Sequence, residues 1–325
     1  MHLRVIVVSF AAAIAVSGCG SRGPGAIGAG LSGPHGYHAS VYAQGLRHVS
    51  AFAWDANGRL WATASGATTH SGDGVYLIER RGAAPRKIVG DLRGPLGLVW
   101  VGDRLIVSSL GRVTAFSDFD GARFRSRHVI LDGPVRGGEN NNIVLAPHGR
   151  LLMGISAPCD HCVPSSKWSA TIVSFKSDGS DLKIFASGIR APYGLAYLPG
   201  TGRLFSSMNQ RDDLGAKTPG DWLSEVRRGQ DWGFPRCYGQ CRSQPQPVGV
   251  LDPHAAAGGV AFVDDTTALV AEWQLGKVQR VDVATGKTSV LLTGFRNPLP
   301  VTVESRGTFL IGDWGTGRVY EVAAR

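Results

Sequence analysis

The sequence predicts an all-β protein, a six-bladed β-propeller built from four-stranded antiparallel blades. One theme recurs six times along the chain: an apolar strand, a short turn, and a second strand of large apolar residues. The turns fall at roughly 40- to 65-residue intervals, and repeats of this length made of strands and turns are typical of propeller blades. The turn positions are Gly58, Gly102, Gly149, Gly202, Thr266 and Gly307.

The outer strands of each blade follow from a second pattern. Apolar runs separated by polar–glycine turns predict β-hairpins, for example 170–175 followed by 183–186, and 277–282 followed by 289–292. A propeller ring must also close. The strand 38–43 is predicted to complete the last blade beside 317–322. The segment 221–228 is predicted to make one helical turn, with Asp221 as its N-cap.

The amino-terminal residues predict an exported lipoprotein. Arg4 precedes a short apolar stretch that runs from Val5 to Val16, and Val16-Ser-Gly-Cys19 follows. This order predicts a signal peptide over 1–18 and lipid attachment at Cys19. The alternative is a plain secretory signal with a chance cysteine. Residues 19–36, rich in Gly, Ser and Pro, are predicted to be a flexible tether, and 37–325 a single propeller domain on the outer face of a membrane or in the periplasm.

Composition narrows the possible partners. The chain has 325 residues, a formal net charge of +9 and 43% hydrophobic residues, which indicates a packed globular protein. Its Lys and Arg residues are scattered and form no basic arm, so a nucleic-acid partner is not expected. Attraction to anionic lipid or polymer in the cell envelope remains open. No later stretch is long and apolar enough to predict a transmembrane helix.

Four further cysteines form two closely spaced pairs. Cys159 and Cys162 have a C-x2-C spacing with His161 between them, and Cys237 and Cys241 have a C-x3-C spacing. Such a set can bind zinc. Outside the cytoplasm an even number of cysteines more often forms disulfides, which is the interpretation we favour. Three pairings of four cysteines are possible, and the sequence does not choose among them. Other histidines lack the pair spacing of a metal site and are expected to be surface or core polar groups: His35, His38, His48, His70 and His254.

Two regions carry a resemblance to a known family. One is Gly188 to Gly239, in which Asn209-Gln-Arg-Asp-Asp213 is followed by Trp232-Gly-Phe-Pro-Arg-Cys237; the other is Gly137-Gly-Glu-Asn-Asn-Asn-Ile143 with the following Met153–Cys162. They resemble the soluble quinoprotein glucose/sorbosone dehydrogenases. That resemblance implies a six-bladed propeller that holds pyrroloquinoline quinone (PQQ) and Ca²⁺ and oxidises a small sugar.

The resemblance also implies site residues. Arg190 corresponds to the arginine that polarises the quinone, and Asn142, Arg190, Arg211 and Asp212 to cofactor contacts. Arg211 and Asp212 correspond to the positions whose carbonyls hold Ca²⁺, and Asp213 and Asp221, in the same acidic loop, are candidates to support a metal. For Asp212 and Asp213 turn formation is the alternative, and for Arg190 an ion pair to Asp212 or Asp213.

The sequence departs from the family pattern at two positions. Glu139 stands where the family has its catalytic histidine, and Ala191 stands where an asparagine contacts the cofactor. A carboxylate in a partly closed site can have its pKa raised towards neutrality and act as the base, so Glu139 is the candidate catalytic residue; the alternative is a solvated loop glutamate.

The sequence is therefore compatible with three functions. The first is a PQQ- and Ca²⁺-dependent sugar dehydrogenase whose electron acceptor is unknown. The second is a non-catalytic propeller lipoprotein that binds a glycan, a metal or a protein partner. The third is a hydrolase or lactonase with metal ligands drawn from the oxygen-bearing side chains Glu139, Asn140, Asn141, Asn142, Asn209 and Asp212.

Overall fold

The computed structural model describes residues 24–66, 70–133 and 135–324 and confirms the predicted fold. Six antiparallel sheets form a ring, and each follows the chain from an inner strand outwards. The strands, in chain order, are β1 Gly25–Gly28, β2 Leu31–Gly33, β3 Tyr37–Gln44, β4 Val49–Trp54, β5 Leu60–Ala64, β6 Gly74–Ile78, β7 Arg86–Val89, β8 Gly97–Val101, β9 Arg104–Ser109, β10 Arg112–Phe119, β11 Phe124–Asp132, β12 Asn140–Leu145, β13 Leu151–Ile155, β14 Thr171–Phe175, β15 Lys183–Ala186, β16 Ala191–Tyr197, β17 Leu204–Asn209, β18 Gly220–Val226, β19 Gly249–Pro253, β20 Ala257–Phe262, β21 Thr267–Glu272, β22 Lys277–Asp282, β23 Thr288–Thr293, β24 Pro298–Ser305, β25 Thr308–Asp313 and β26 Arg318–Ala324.

Blades one to five begin at the inner strands β4, β8, β12, β16 and β20, and each takes the three strands that follow. The sixth blade is β24-β25-β26-β3, so its outermost strand comes from near the amino terminus. The pairing runs from Arg318 opposite Gln44 to Ala324 opposite Tyr37. This confirms the predicted closure of the ring, which joins the two ends of the propeller by main-chain hydrogen bonds.

The predicted tether is wrong from Gly25 onwards. Strands β1 and β2 form a hairpin that extends the fifth blade, with Ser32 opposite Thr293. Leu31 is 1% exposed and packs in a cluster with Leu292, so one large apolar residue anchors a segment whose composition otherwise favours a linker. A Cβ at Gly33 would lie 2.7 Å from the Leu292 side chain, so here glycine permits close packing. The predicted signal peptide and Cys19 lie outside the described residues.

The core lies between adjacent blades. Buried apolar side chains form six clusters, most of which join residues of two neighbouring blades, as in the cluster of Trp61, Leu77, Leu98 and Leu105. Propeller blades face one another and bury both sides of each sheet, which explains strands such as β5, β13 and β14 that are buried along their whole length. Over the described ranges, no helix is long and apolar enough to cross a membrane.

The predicted helical turn at 221–228 is also wrong, because residues 220–226 form strand β18. Trp222 of this strand pairs with Val250 of β19 and is 4% exposed. Asp221 does accept main-chain N–H groups, as an N-cap would, but from distant segments. The prediction that the Asp221 side chain accepts main-chain hydrogen bonds is therefore correct, but the donors are Gln210 and Ala257 and not the residues that follow it.

Candidate functional site

A cavity of about 540 Å³, which we call the axial cavity, opens at one end of the ring, where all six blades contribute residues. It lies at the end where the inner strands begin, and the loops that precede them form much of its wall. The lining combines acidic, basic, aromatic and amide side chains: His70, Arg93, Glu139, Tyr193, Asn209, Trp273 and Trp314. A single concave site that collects polar groups from every blade is the best candidate for ligand binding.

Buried carboxylates hold the loops around this cavity. Asp73 accepts N–H groups from Gly66 and Gly94, both at 2.7 Å. Asp313 does the same for four main-chain N–H groups, including that of Arg296 at 2.8 Å. These carboxylates join loops of neighbouring blades. They therefore hold the rim of the cavity by accepting main-chain N–H groups that no strand or helix satisfies.

Asp221 is the corresponding acceptor on the fourth blade. Its carboxylate oxygens accept the N–H of Gln210 at 2.7 Å and the N–H of Ala257 at 3.0 Å. Burial raises the pKa of Asp221 to about 7, and the two N–H donors oppose that rise. This residue therefore ties the loop after β17 to the start of β20.

Glu139 lies on the cavity wall, as its assignment as the base requires. Its main-chain carbonyl accepts the N–H of Ser156 at 3.0 Å. The preceding Gly138 packs so closely on Ser156 that a Cβ would collide with that residue's carbonyl oxygen. The side chain is exposed to solvent at the cavity wall. Partial desolvation by the neighbouring protein raises its pKa, while Arg190 acts in the opposite direction.

A histidine that the sequence pattern assigns to no site also lines the cavity. His70 lies 2.8 Å from Asp73, Nδ1 to Oδ2, and the carboxylate of Asp73 is fully buried. Asp73 thus orients the imidazole ring while it holds the two glycine N–H groups. The His70 side chain is 38% exposed, as expected of a surface polar group, but its place at the cavity was not predicted. The H-x-x-D spacing in the loop after β5 was the available signal.

Arg190 is held by an acidic residue that the sequence does not single out. Its guanidinium donates to the carbonyl oxygen of Gln210 at 2.7 Å and forms a short ion pair with Asp160. Asp212 lies 3.9 Å away. The alternative of an ion pair is therefore correct in kind, although Asp160 is the main partner. Arg190 lines a separate small void of about 20 Å³ and is not among the residues that line the 540 Å³ cavity.

The predicted metal-binding residues are distributed over several interactions. Arg211 and Asp213 pair at 2.6 Å, Asp212 contacts His254 at 3.0 Å, and Asp221 is occupied by main-chain donors. In the part of the chain that the structure describes, no group of three or more His, Cys, Asp or Glu side chains is arranged to hold a metal ion. Coordination through main-chain carbonyls of Arg211 and Asp212 stays a prediction.

Two asparagines occupy different positions relative to the cavity. Asn142 is half-buried within an irregularity of strand β12, where the register shifts between Asn140 and Ile143. Asn209 lines the cavity and lies directly opposite Ala191 on the neighbouring strand. Directly paired residues share one face of a sheet, so an amide stands beside the position where the family asparagine is missing.

Both cysteine pairs form disulfides, Cys159–Cys162 and Cys237–Cys241. This confirms disulfides over zinc and settles the pairing that the sequence left open. The first loop carries Asp160, the partner of Arg190. The second loop donates the N–H of Gly239 to Gln210 Oε1 at 3.0 Å. The two disulfides therefore brace the segment that holds Arg190.

Two polar groups at the cavity have no hydrogen-bond partner among the described residues. The Tyr193 hydroxyl and Asn209 Oδ1 are buried without a hydrogen bond, a state that costs free energy unless a ligand or water satisfies it. Burial and the nearby Glu139 raise the pKa of Tyr193, so its hydroxyl remains a donor. Together with Arg93 and two tryptophans, these groups suit a planar ligand that carries negative charge.

Comparison with known proteins supports this fold. No protein-family model matches the sequence, and neither does any curated protein. Among solved structures, a calcium structure of a Trichoderma reesei enzyme of carbohydrate-active family AA12 has a TM-score of 0.73 at 14% identity over 91% of this chain and 97% of that one. The PQQ-bound aldose sugar dehydrogenase of Streptomyces coelicolor has a TM-score of 0.73 at 16% identity, with 90% and 99% covered.

The holo form of the pyranose dehydrogenase PQQ domain from Coprinopsis cinerea has a TM-score of 0.72 at 16% identity, with 90% of this chain and 97% of that one covered. At these identities the likeness shows a common fold. The chain is thus a six-bladed propeller like those of the PQQ-dependent sugar dehydrogenases, which confirms at the level of the fold the resemblance found in its sequence.

Proposed function

We propose that the chain is a PQQ- and Ca²⁺-dependent dehydrogenase of an aldose or related sugar, exported and anchored by lipid at Cys19. The observation that carries this proposal is the composition of the axial cavity: a proton acceptor, a cation, unpartnered hydrogen-bonding groups and two aromatic rings in one concave site. The shared fold with a PQQ-bound aldose sugar dehydrogenase supports the choice of cofactor.

The cavity residues provide different parts of the binding site. Arg93 provides positive charge at the rim of the cavity, and Asn209 Oδ1 provides a hard oxygen of the kind that Ca²⁺ prefers. Trp273 and Trp314 meet edge to face, with ring centroids 5.5 Å apart, and offer apolar surface to a planar ring or a sugar. When bound, PQQ supplies a two-electron acceptor, and Ca²⁺ supplies the Lewis acid beside it.

Glu139 takes the role of the base in this proposal. It accepts the proton of the sugar hydroxyl as that carbon is oxidised, and its raised pKa improves the match between a carboxylate base and near-neutral conditions. The Tyr193 hydroxyl, close enough to be influenced by Glu139, donates to a substrate oxygen. His70, fixed by Asp73, is the other proton acceptor in the cavity.

The proposal is tested by calorimetric titration of PQQ into the metal-stripped protein, with and without Ca²⁺, followed by dye-coupled oxidation of a panel of aldoses. Stoichiometric, Ca²⁺-dependent binding and turnover that Glu139→Gln abolishes are expected. Glu139→His should retain or raise turnover. Absence of PQQ binding under both conditions would refute the proposal.

The second candidate, a non-catalytic binder, is favoured by one observation. Asp160 neutralises the guanidinium of Arg190, whereas a polarising role requires that charge to act on the cofactor. Asp160→Asn distinguishes the two candidates. In a dehydrogenase it changes turnover by altering the field of Arg190, and in a binder it leaves ligand affinity unchanged.

A further inference from the structure

A second depression continues from the axial cavity across the rim of the second and third blades. It has a volume of about 700 Å³ and is lined by Arg93, Leu110, Arg136, Gly138 and Glu139, among others. Arg93, Leu110 and Glu139 line the axial cavity as well. The two spaces therefore form one continuous groove that begins at the proposed base and runs outwards over the rim.

Arginine side chains dominate this outer part of the groove. An adjoining hollow of about 110 Å³ is lined by Arg93, Arg112, Arg127 and Arg136, against only Asp91 and Asp132. Asp132 is shared by Arg112 at 2.9 Å and Arg136 at 2.7 Å. Arg93 has no acidic partner within the described ranges. The cluster, which we call the arginine groove (Arg93, Arg112, Arg127 and Arg136), carries excess positive charge.

Local packing holds these side chains close to the cavity. The aliphatic part of Arg136 lies over Gly111, where a Cβ would approach Arg136 Cγ to 2.9 Å. Gly111 has a φ of 69° in the tight turn between β9 and β10, a conformation that favours glycine. The guanidinium of Arg127 lies 5.6 Å from the centroid of the Phe116 ring and donates to the Asp91 carbonyl oxygen.

We propose that the arginine groove binds the anionic part of a saccharide longer than one unit, so that the substrate is an acidic glycan carrying carboxylate groups. This inference rests on the proposed function and deepens it. The axial cavity and the outer depression each have the size of a pocket for a small molecule, and arginine is the residue best suited to paired hydrogen bonds with carboxylates. One sugar unit lies in the cavity beside Glu139, and the following acidic units extend past Arg93 to Arg136.

The test uses the full-length protein without cofactor, so that it does not depend on oxidation. A galacturonate hexamer and a neutral glucose hexamer are titrated while tryptophan fluorescence and heat are recorded, since Trp273 and Trp314 line the cavity. We expect the acidic hexamer to bind more tightly than the neutral one. Its affinity should fall as salt is raised, because exposed charges are screened within about 10 Å at 0.1 M ionic strength.

Charge reversal locates the site. Arg136 lies in the groove but outside the axial cavity, so Arg136→Glu should weaken binding of the acidic hexamer by about fivefold and leave binding of the neutral one unchanged. Arg125→Glu is the matched control, since Arg125 is an equally exposed arginine on the far end of the same blade, paired with Asp120.

Equal binding of the two hexamers, or equal effects of the two substitutions, would overturn the proposal. So would competition by free inorganic phosphate at the same concentration as the hexamer, because it would indicate a simple anion site. If PQQ fails to bind while the acidic hexamer still does, the proposed oxidation falls and the glycan-binding groove stands.

Discussion

Asp221→Asn tests how the buried carboxylates shape the rim of the cavity. Asp221 is 2% exposed and accepts two main-chain N–H groups. Its pKa is raised from an ordinary value near 3.8 to about 7, chiefly by burial. Between these two values the folded state holds the proton more tightly than the unfolded state. Deprotonation therefore costs the folded state more, and this residue's contribution to stability falls as pH rises.

The magnitude follows from linkage. A pKa rise from 3.8 to about 7 corresponds to a loss of about 2–3 kcal/mol in the free energy of unfolding between pH 5 and pH 8. The substituted amide does not titrate, so the variant lacks this loss. It has a cost of its own, about 1–3 kcal/mol, because an amide accepts only one of the two N–H groups.

Urea unfolding of the two proteins at pH 5, 6, 7 and 8 measures the effect. All other titrating groups are common to both proteins and cancel in the difference. We expect the variant to be less stable at pH 5 and to close the gap by about 2–3 kcal/mol at pH 8. A gap that does not change with pH would refute the raised pKa and would indicate that the two N–H donors keep Asp221 ionised throughout.

Three further predictions concern the site. In protein loaded with PQQ and Ca²⁺, activity should fall as pH drops through the raised pKa of Glu139, and Glu139→Gln should lower kcat by about a hundredfold or more; an unaltered pH profile would exclude it as the base. Gly138→Ala should destabilise the fold by about 1–3 kcal/mol in urea unfolding, because its Cβ would collide with the Ser156 carbonyl oxygen, whereas Gly202→Ala, with open space around it, should not. Replacing Cys237 and Cys241 by serine should cost about 2 kcal/mol in thermal unfolding and weaken PQQ binding, since their loop holds Gln210; unchanged PQQ affinity would separate that loop from the site.

The fold was predictable because a propeller repeats its pattern. Six copies of a strand–turn–strand theme outweigh the ambiguity of any one copy, and ring closure by residues 38–43 follows from the same count. Composition gives the wrong prediction for the segment around Leu31. The segment is rich in glycine, as a linker would be, but the single buried side chain of Leu31 packs it against the fifth blade. The local pattern places Asp221 at a helix start because the partners of this buried acceptor come from distant segments, which neighbouring residues do not reveal.

The residues of the site could be predicted from the sequence only where a local sequence motif identifies them. Glu139 was found because its loop has a recognisable sequence, and the cavity does contain it. The sequence does not reveal the roles of three other residues, because each depends on a neighbour that the fold brings close. His70 contacts Asp73 and Asp160 pairs with Arg190. Asn209 lies opposite Ala191. Asn209 shows the consequence most clearly. Along the chain, the missing asparagine at position 191 counts against cofactor binding. Across the β-ladder, the amide is present.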